Sequence, residues 1–460
     1  MEFKNKSGKS YLVYIIAAIA ATGGLLFGFD TGVISGVLLF IREEWSLSPE
    51  SQGIAVSSVL IGAMIGAIVS GKVADKFGRK TVIIWTAFIF FIGSVGTALA
   101  PDLEWLIFGR IIIGIAIGVA SFAVPLYISE VSPTNVRGAL VSMNQLAITI
   151  GIVVSYVVDA GFANVEHGWR YMFGVGVLPA LILGIGMFYM PKTPRWLISK
   201  NKFDEAETVL KKIEAKDNVQ DEINEIKNSI TEESGGTFKD LLLPWLKPAL
   251  IIGIGMMFIQ QCTGINTVIY YAPTIFQKTG FESEQAAIAA TSIVGVINVL
   301  FTIVSIVLID KIGRRPLLLV GLTGMTLSLG VLGLAFMETE TLGASLKYVA
   351  VASTLVYIAS FAVSLGPICW LLIAEIYPLK IRGVAMSIAT FSNWAFNFLV
   401  ALSFPILLER IGPPATFWIF ALLSIGGWIF CYCYVPETKG HSLEKIEEHW
   451  KAGKHPRELA

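Results

Sequence analysis

Charged side chains are scarce in this sequence of 460 residues. Asp, Glu, Lys and Arg make up 15% of it, whereas soluble globular proteins carry about 25%. Acidic and basic residues are equal in number, 34 each, so the net charge does not indicate a nucleic-acid partner. With 55% hydrophobic residues and a mean hydropathy of +0.71, the composition predicts a protein whose apolar surface faces the lipid bilayer.

Cysteine and histidine are also rare, with four residues of each type. The cysteines lie in apolar segments without the spacing of zinc ligands or of a disulfide framework, so we interpret them as packing residues. The sequence contains no nucleophile–base constellation and no phosphate-binding loop. These absences predict a protein that is not an enzyme and has no catalytic residues, no metal site and no cofactor. The residues concerned are Cys262, Cys369, Cys431, Cys433, His167, His441, His449 and His455.

Long apolar segments, by contrast, fill most of the chain. A helix needs about 20 apolar residues to span the hydrocarbon core of a bilayer. The first segment follows Lys4, Lys6 and Lys9 and is too long for a cleaved signal, so we expect it to remain as a helix. The sequence predicts an all-α integral membrane protein with twelve spans, which begin near Tyr11, Gly53, Val82, Trp105, Leu140, Tyr171, Lys247, Gln285, Leu317, Leu346, Val384 and Thr416.

The basic residues of the short loops predict the orientation of these spans. Three alternate loops are rich in Lys and Arg, whereas the intervening loops "PDLE" (101–104) and "METETLG" (337–343) contain none. Both termini and the long loop near 192–243 are therefore expected in the cytoplasm, in a multi-pass protein of the plasma membrane. The long loop alternates charged and apolar residues at helical spacing, which predicts amphipathic helices on the membrane surface.

The sequence also repeats itself. "VADKFGRK" (73–80) returns as "LIDKIGRR" (308–315), and "YISEVSPTNVRG" (127–138) returns as "LIAEIYPLKIRG" (372–383). Two similar six-helix halves are the architecture in which a transporter binds its substrate at the midplane between repeats. We therefore divide the chain into an N-terminal half (1–191), a cytoplasmic linker (192–245), a C-terminal half (246–436) and a cytoplasmic tail (437–460).

Both copies of the repeat carry acids and bases at the same spacing. Basic residues alone would be explained by topology, but the recurring acids favour a salt-bridge network that holds the cytoplasmic ends together while the outer side is open. The predicted gating residues pair each acid with the base of its own motif: Asp75 with Arg79, Glu130 with Arg137, Asp310 with Arg314, and Glu375 with Arg382.

Ten motifs in this order make the sequence similar to the sugar porter family of the major facilitator superfamily over essentially its whole length. They include "GGLLFGFDTGVISG", "DKFGRK", "GRIIIGIAIG", "PLYISEVSPTNVRG", "PKTPRWLISK", "QQCTGINTVIYYAP", "DKIGRRP", "AEIYPLKIRG", "FSNWAFNF" and "VPETKG". The family includes bacterial sugar–proton symporters and animal glucose facilitators. The resemblance implies a transporter of a monosaccharide, either a hexose or a pentose.

The carboxylate of Asp30 within the first apolar segment is costly, and such intramembrane charges are functional hypotheses by default. The resemblance implies that Arg110, near the start of the fourth segment, faces it, although an arginine there could also reach the headgroups. The facilitators have asparagine where this chain has Asp30. Because aspartate can titrate and asparagine cannot, the resemblance favours proton coupling through Asp30 and Arg110.

Polar and aromatic residues within the apolar segments are candidates for sugar contact, since amides both donate and accept hydrogen bonds. Taken singly, each amide could instead join two helices and each Trp could face lipid. The resemblance implies that the group contacts sugar: Phe27, Gln145, Gln260, Gln261, Asn266, Asn298, Trp370, Asn393 and Trp394, with Asn397 also matching. Ala362 departs from the facilitators, which have glutamate there. Gly and Pro in "SLGPICW" (364–370) are expected to allow a bend.

The sequence therefore predicts a secondary transporter that imports a monosaccharide with a proton as a monomer in the bilayer. Two alternatives stay open. The first is a uniporter of the same fold, in which Asp30 is only a structural partner of Arg110. The second is a membrane sugar sensor, against which the short tail after "PETKG" argues.

Overall fold

The computed structural model describes residues 11–133, 136–214, 216, 218–233, 240–441 and 443–459. Within these ranges the chain forms twenty α-helices and no β-strand. The helices are α1 (Tyr11–Glu44), α2 (Pro49–Phe77), α3 (Arg79–Ala98), α4 (Leu103–Val131), α5 (Arg137–Phe162), α6 (Gly168–Val175), α7 (Val177–Tyr189), α8 (Pro194–Ser199), α9 (Phe203–Glu214), α10 (Gln220–Glu233), α11 (Lys247–Cys262), α12 (Ile265–Gln277), α13 (Glu284–Ile312), α14 (Arg314–Met337), α15 (Thr339–Leu342), α16 (Leu346–Val363), α17 (Leu365–Ile376), α18 (Arg382–Arg410), α19 (Gly412–Tyr434) and α20 (Leu443–Lys451).

Twelve helical segments of the described chain are long and apolar enough to cross a membrane, which confirms the predicted all-α membrane fold. Nine are single helices, and the sixth, seventh and tenth are interrupted. Many residues on their outer faces are large and apolar, such as Phe88 (62% exposed), Ile185 (60%) and Leu422 (66%). In water this surface would be unfavourable, whereas in a bilayer it faces lipid chains. The first seven helices are hereafter the N-half, and α11–α19 are the C-half.

Close backbone contact joins helices within the N-half, where α1 packs along α5 and α2 packs along α4. At Gly28 of α1, an added Cβ would lie 1.9 Å from the carbonyl oxygen of Ile148 in α5. Only glycine allows the two backbones to approach so closely, which is the packing that membrane helices use in place of a hydrophobic driving force.

The interruptions lie where the sequence weakens a helix. Between α16 and α17, Ser364 adopts φ −120° and ψ −95°, which confirms the bend expected in "SLGPICW". Between α11 and α12, Gly264 adopts φ +96°, a conformation that side chains with a Cβ rarely adopt. This second break was not predicted from the sequence. It allows the neighbouring amides of α11 and α12 to converge.

The loop between the halves contains α8, α9 and α10, so its predicted helices are present. Their apolar residues form a small core of their own, which includes Leu197, Leu210 and Ile223. Location on the membrane surface stays a prediction. The lysines near the start of the chain, Lys4, Lys6 and Lys9, lie outside the described residues. All four cysteines are free and Cys262, Cys369 and Cys431 are buried, as expected of packing residues.

Candidate functional site

The first feature of the site is a buried ion pair between α1 and α4. The Nη1 atom of Arg110 lies 3.4 Å from Oδ1 of Asp30, and the residues are 0% and 2% exposed. Asp30 lies near the middle of α1, whose neighbours there are almost all buried. A buried charge is costly unless an opposite charge lies beside it. Asp30 and Arg110 therefore compensate each other's charge inside the bundle.

The pair is loosely made. A charge-assisted N–H···O contact usually measures about 2.7–2.9 Å, whereas this one measures 3.4 Å. Arg110 also donates to the carbonyl oxygen of Val56 in α2 at 3.3 Å, and its guanidinium carbon lies 6.0 Å from the centre of the Phe173 ring. Its buried Nε has no partner among the atoms described. Arg110 therefore has a second hydrogen-bond partner besides Asp30.

The second feature is a network of amide side chains in the C-half. Asn266 donates to Gln261 at 2.6 Å, and Gln261 donates to Asn393 of α18 at 3.1 Å. Asn393 donates in turn to Gln260 at 2.6 Å, and Gln260 donates to the carbonyl oxygen of Leu365 at 2.9 Å, just after the break in the tenth span. The network thus ties α11, α12, α17 and α18 together at two helix interruptions.

Two atoms beside this network are buried without a described partner: the indole Nε1 of Trp394 and Oδ1 of Asn397. They are one donor and one acceptor. The ring of Trp394 lies 5.4 Å from the ring of Phe27 in α1, with an angle of 60° between the planes. This contact places the network at the boundary between the two halves. A hydroxylated ligand there would find unpaired groups of both kinds.

Four other predicted residues have less defined roles in the structure. Gln145 lies partly buried in α5, Asn298 is buried in α13, and Trp370 is partly buried in α17. Their side chains make none of the hydrogen bonds that the structure describes. Asn397 donates to the hydroxyl of Tyr270 in α12 at 3.4 Å. The sugar-contact role of the whole group stays a prediction.

Six of the eight predicted gating residues are in ion pairs described within each half, at the end that carries the repeated basic motifs. In the N-half, Arg79 contacts Asp75 at 3.0 Å and Glu130 at 3.1 Å. In the C-half, Arg314 contacts Asp310 at 3.1 Å and Glu375 at 2.8 Å. The two clusters have the same arrangement, as expected for a repeat.

The two motif-internal pairs Asp75–Arg79 and Asp310–Arg314 are present, whereas Glu130 and Glu375 pair with a base of the other motif of their half. Glu130 pairs with Arg79 rather than Arg137, because the start of α3 lies beside the end of α4. Arg137 donates to the carbonyl oxygen of Ser132, and Arg382 donates to that of Tyr377. A clamp between the halves stays a prediction, since the pairs described here join helices of the same half.

Contacts between the halves lie at the opposite end of the bundle. Arg410 of α18 lies 3.6 Å from Glu50 of α2, and Arg42 of α1 donates to Gln277 of α12 at 3.5 Å. Near Glu50, the backbones of α2 and α18 approach so closely that a Cβ on Gly53 would lie 2.5 Å from the carbonyl oxygen of Leu402. This end of the bundle is closed.

At the basic-motif end, Gly138 in the first turn of α5 and Gly383 in the first turn of α18 are exposed. No heavy atom lies within 4 Å of where a Cβ would stand on Gly138 or Gly383. The described conformation is therefore closed at the end of Glu50 and Arg410, as an alternating-access transporter is at one end at a time.

Three polar residues near these features were missed by the sequence analysis. Asp159 of α5 is fully buried and accepts from the backbone N–H of Gly36 at 3.2 Å. A charged residue inside the fifth apolar segment was the signal that could have revealed it. Thr438 donates to Glu375 at 2.5 Å, and Thr193, which is buried, occupies the corresponding position of the N-half. Both threonines follow a Pro-X pair after the last span of their half, a further element of the repeat.

Two halves of membrane-spanning helices with polar groups at their boundary define a secondary transporter. Residues 16–450 match the family model described as "Sugar (and other) transporter". The chain is 40% identical over 462 residues to the major myo-inositol transporter IolT of Bacillus subtilis, covering 98% of this chain and 97% of the relative. It is 39% identical over 459 residues to the galactose-proton symporter of Escherichia coli K12, covering 99% and 98%.

A solved structure of the xylose transporter XylE of E. coli, in a partially occluded inward open conformation, superposes with a TM-score of 0.83. The two proteins are 35% identical, and the match covers 94% of this chain and 100% of that one. The chain belongs to the sugar porter family of the major facilitator superfamily, whose members are transporters rather than enzymes.

Proposed function

We propose that this protein imports a monosaccharide, a hexose or a pentose, together with a proton. The observation that carries the proposal is the Asp30–Arg110 pair, in which a titratable acid lies beside a fixed cation inside the bundle. The names of the relatives, a galactose-proton symporter and a proton-coupled xylose transporter, support the same coupling. The site's amides and its unpaired donor and acceptor suit a substrate covered with hydroxyl groups.

Protonation of Asp30 removes the negative charge that faces Arg110. Because Arg110 also donates to the carbonyl oxygen of Val56, it keeps a partner when Asp30 is neutral. Asp30 takes up a proton from the outside, and its release to the cytoplasm restores the pair. An inward-negative potential contributes about 2.3 kcal/mol per 100 mV for each charge moved, which is a reason for a membrane helix to retain a buried acid.

Sugar binds at the boundary of the halves. The network of Gln260, Gln261, Asn266 and Asn393 presents amide groups of fixed orientation, and Trp394 and Phe27 present flat apolar faces to the sugar ring. Gln145, Asn298 and Trp370 complete the site when the halves move together around the substrate. The predicted midplane location is the one at which transporters with internal repeats bind their substrates.

The basic-motif end faces the cytoplasm, since short cytoplasmic loops are the ones enriched in Lys and Arg. Both termini then lie in the cytoplasm of a cell whose plasma membrane the protein spans, and the described conformation, closed at the other end, faces inward. The chain is organised as 1–191, 192–245, 246–436 and 437–460, with the linker and the tail on the cytoplasmic side, and it works as a monomer.

A uniporter is the second candidate. The bond from Arg110 to Val56 favours it, because it gives the arginine a structural use in joining α1, α2 and α4. In that case Asp30 compensates the buried charge of Arg110 and does not titrate during the cycle.

Proteoliposomes with an acidic exterior and a clamped membrane potential test the proposal. We expect at least one of galactose, xylose, glucose and myo-inositol to accumulate above its external concentration, and a protonophore to abolish this accumulation. Equilibration without accumulation would favour the uniporter. Binding without counterflow of labelled sugar would favour a sensor and would contradict transport.

A further inference from the structure

A cluster of arginines and aromatic rings lies at the basic-motif end of the C-half, outside the sugar site. The guanidinium carbons of Arg315 and Arg457 lie 5.4 Å and 4.8 Å from the centre of the same ring, that of Tyr432. Arg315 stands in the first turn of α14, Tyr432 in the last turn of α19, and Arg457 beyond α20. Two positive charges therefore share one ring at the membrane edge.

Neither arginine is in an ion pair among those described for the chain. Arg315 donates to the carbonyl oxygen of Tyr432 at 2.9 Å, and its buried Nε has no described partner. Arg457 is exposed. Glu437, an acid on this side of the C-half, accepts from the backbone N–H groups of Arg314 and Arg315 at 3.1 and 3.0 Å. Its carboxylate is therefore engaged in capping α14. Glu458, the residue after Arg457, is in none of the ion pairs described. The guanidinium groups of Arg315 and Arg457 are therefore available to bind an anion.

An apolar groove continues from this cluster toward the centre of the membrane. The ring of Tyr432 stacks on Trp428 at 5.3 Å, with only 6° between the planes. Trp428 lines a groove between α14 and α19 together with Thr323, Thr326, Leu327 and Ile425. Leu327 and Ile425 are 65% and 42% exposed, so the groove opens toward lipid. Thr323 lies eight residues after Arg315, about 12 Å along the helix.

The N-half contains a simpler version of the cluster. Lys80 occupies the position of Arg315 in the repeat, donates to the carbonyl oxygen of Phe188 at 2.8 Å and lies 5.9 Å from its ring centre. A base that caps the last turn of the neighbouring span is thus a structural feature of both halves. The C-half has the guanidinium group of Arg315 in place of a lysine, a second arginine (Arg457) over the same ring, and Trp428 in the groove. A base that only caps a helix requires none of these additions.

We propose that this site binds one anionic phospholipid of the cytoplasmic leaflet. Its phosphate lies between Arg315 and Arg457, where guanidinium groups can bind phosphate oxygens in pairs. Its acyl chain lies in the groove beside Trp428. The charge of the cluster selects an anionic headgroup, and the distance between the arginines and the groove suits a molecule with its charge at the surface and its chain in the membrane.

Trp428 provides the reporter for a test on the full-length protein. We reconstitute it in phosphatidylcholine vesicles that contain an equal fraction of either dibrominated phosphatidylglycerol or dibrominated phosphatidylcholine, whose bromine atoms quench nearby tryptophans. The difference between the wild type and Trp428→Phe isolates the signal of Trp428. We expect stronger quenching by the brominated phosphatidylglycerol. Each of Arg315→Gln and Arg457→Gln should lower this preference about fivefold, since one basic residue near an anionic surface contributes about 1 kcal/mol.

The controls separate this site from general attraction of anionic lipid. Lys80→Gln removes the equivalent charge of the N-half and should leave the preference at Trp428 unchanged. Arg457→Gln removes an exposed side chain and therefore tests the site even where Arg315→Gln impairs folding. Equal quenching by the two lipids, or an unchanged preference in Arg457→Gln, would overturn the proposal. Loss of the preference on addition of inorganic phosphate would assign the site to a free anion and would overturn it as well.

Discussion

Asp30→Asn is the substitution that examines proton coupling most directly. It replaces a titratable carboxylate, 2% exposed, by a neutral amide of nearly the same shape. The amide oxygen can still accept from Arg110, at the position where the carboxylate now lies 3.4 Å away. The variant therefore imitates the protonated state of Asp30 permanently, and no proton can be carried by this residue.

The expected size of the effect follows from the driving force. One pH unit across the membrane is worth about 1.4 kcal/mol per proton, which supports about tenfold accumulation at a stoichiometry of one. Wild-type protein should approach this ratio, and Asp30→Asn should fall to a ratio of about one. Removing one partner of a buried ion pair costs about 3–5 kcal/mol. The retained amide contact and the bond from Arg110 to Val56 should make the loss of folding stability smaller than that.

The assay uses proteoliposomes with a gradient of one pH unit, a membrane potential clamped at zero and labelled sugar at equal concentration on both sides. Sugar binding by calorimetry and counterflow without a gradient are measured on the same preparation. We expect binding and counterflow to survive in Asp30→Asn while accumulation is lost. Accumulation above unity by the variant would refute proton transfer through Asp30.

Asp159 offers a matched control for this experiment. It is also a fully buried aspartate in a membrane-spanning helix, but its described partner is the backbone N–H of Gly36 rather than a cation. Asp159→Asn should retain coupled accumulation. Loss of accumulation in both variants would mean that removal of any buried acid disables transport, and the result for Asp30 would then carry no information about coupling.

The remaining predictions concern binding, gating and packing. Gln261→Ala should weaken sugar binding by about 1–3 kcal/mol, because it leaves polar groups of the network unpaired; unchanged affinity in a folded variant, measured by calorimetry, would remove Gln261 from the site. Arg137→Ala combined with Arg382→Ala should shift the population toward the inward-facing state, seen as faster labelling of a cysteine in the first turn of α18, and unchanged labelling would leave these arginines a role in topology alone. Gly28→Ala should lower stability in thermal unfolding by at least about 1–3 kcal/mol through overpacking, whereas Gly71→Ala, with open space around it, should not; equal stabilities would contradict the close approach of α1 to α5.

Much of the fold was predictable because membrane helices are specified by long apolar runs. The twelve predicted segments correspond to the twelve observed spans, and the observed helices begin only a few residues from the predicted starts. The bend at Ser364 followed from its glycine and proline neighbours. The break at Gly264 did not, since a single glycine in "CTGIN" does not reveal a positive φ. That break matters for the site, because it ends α11 directly after Gln260 and Gln261.

The ion pairs at the basic-motif end show a limit of reasoning from motif spacing. Spacing within "YISEVSPTNVRG" suggested that Glu130 belongs with Arg137, seven residues later. In the structure Glu130 lies beside Arg79, which precedes it by 51 positions. The choice depends on how α3 packs against α4, and that packing is set by apolar surfaces rather than by the charges. A repeat can therefore reveal which residues form a cluster in each half before it reveals which of them pair.

The two buried aspartates show that the sequence can identify a buried acid but not the partner that it faces. A carboxylate within an apolar segment indicates a function at both Asp30 and Asp159, although the resemblance to the sugar porters singles out Asp30 alone. In the structure Asp30 faces Arg110 from α4, while Asp159 faces the backbone of Gly36 in α1, and its Oδ1 has no partner among the described atoms. A cation beside an acid lets the charge of that acid depend on whether the pair is formed, whereas a single backbone N–H cannot compensate a full charge. Proton coupling to the transport cycle is therefore expected at Asp30 and not at Asp159. Burial alone does not distinguish the two residues.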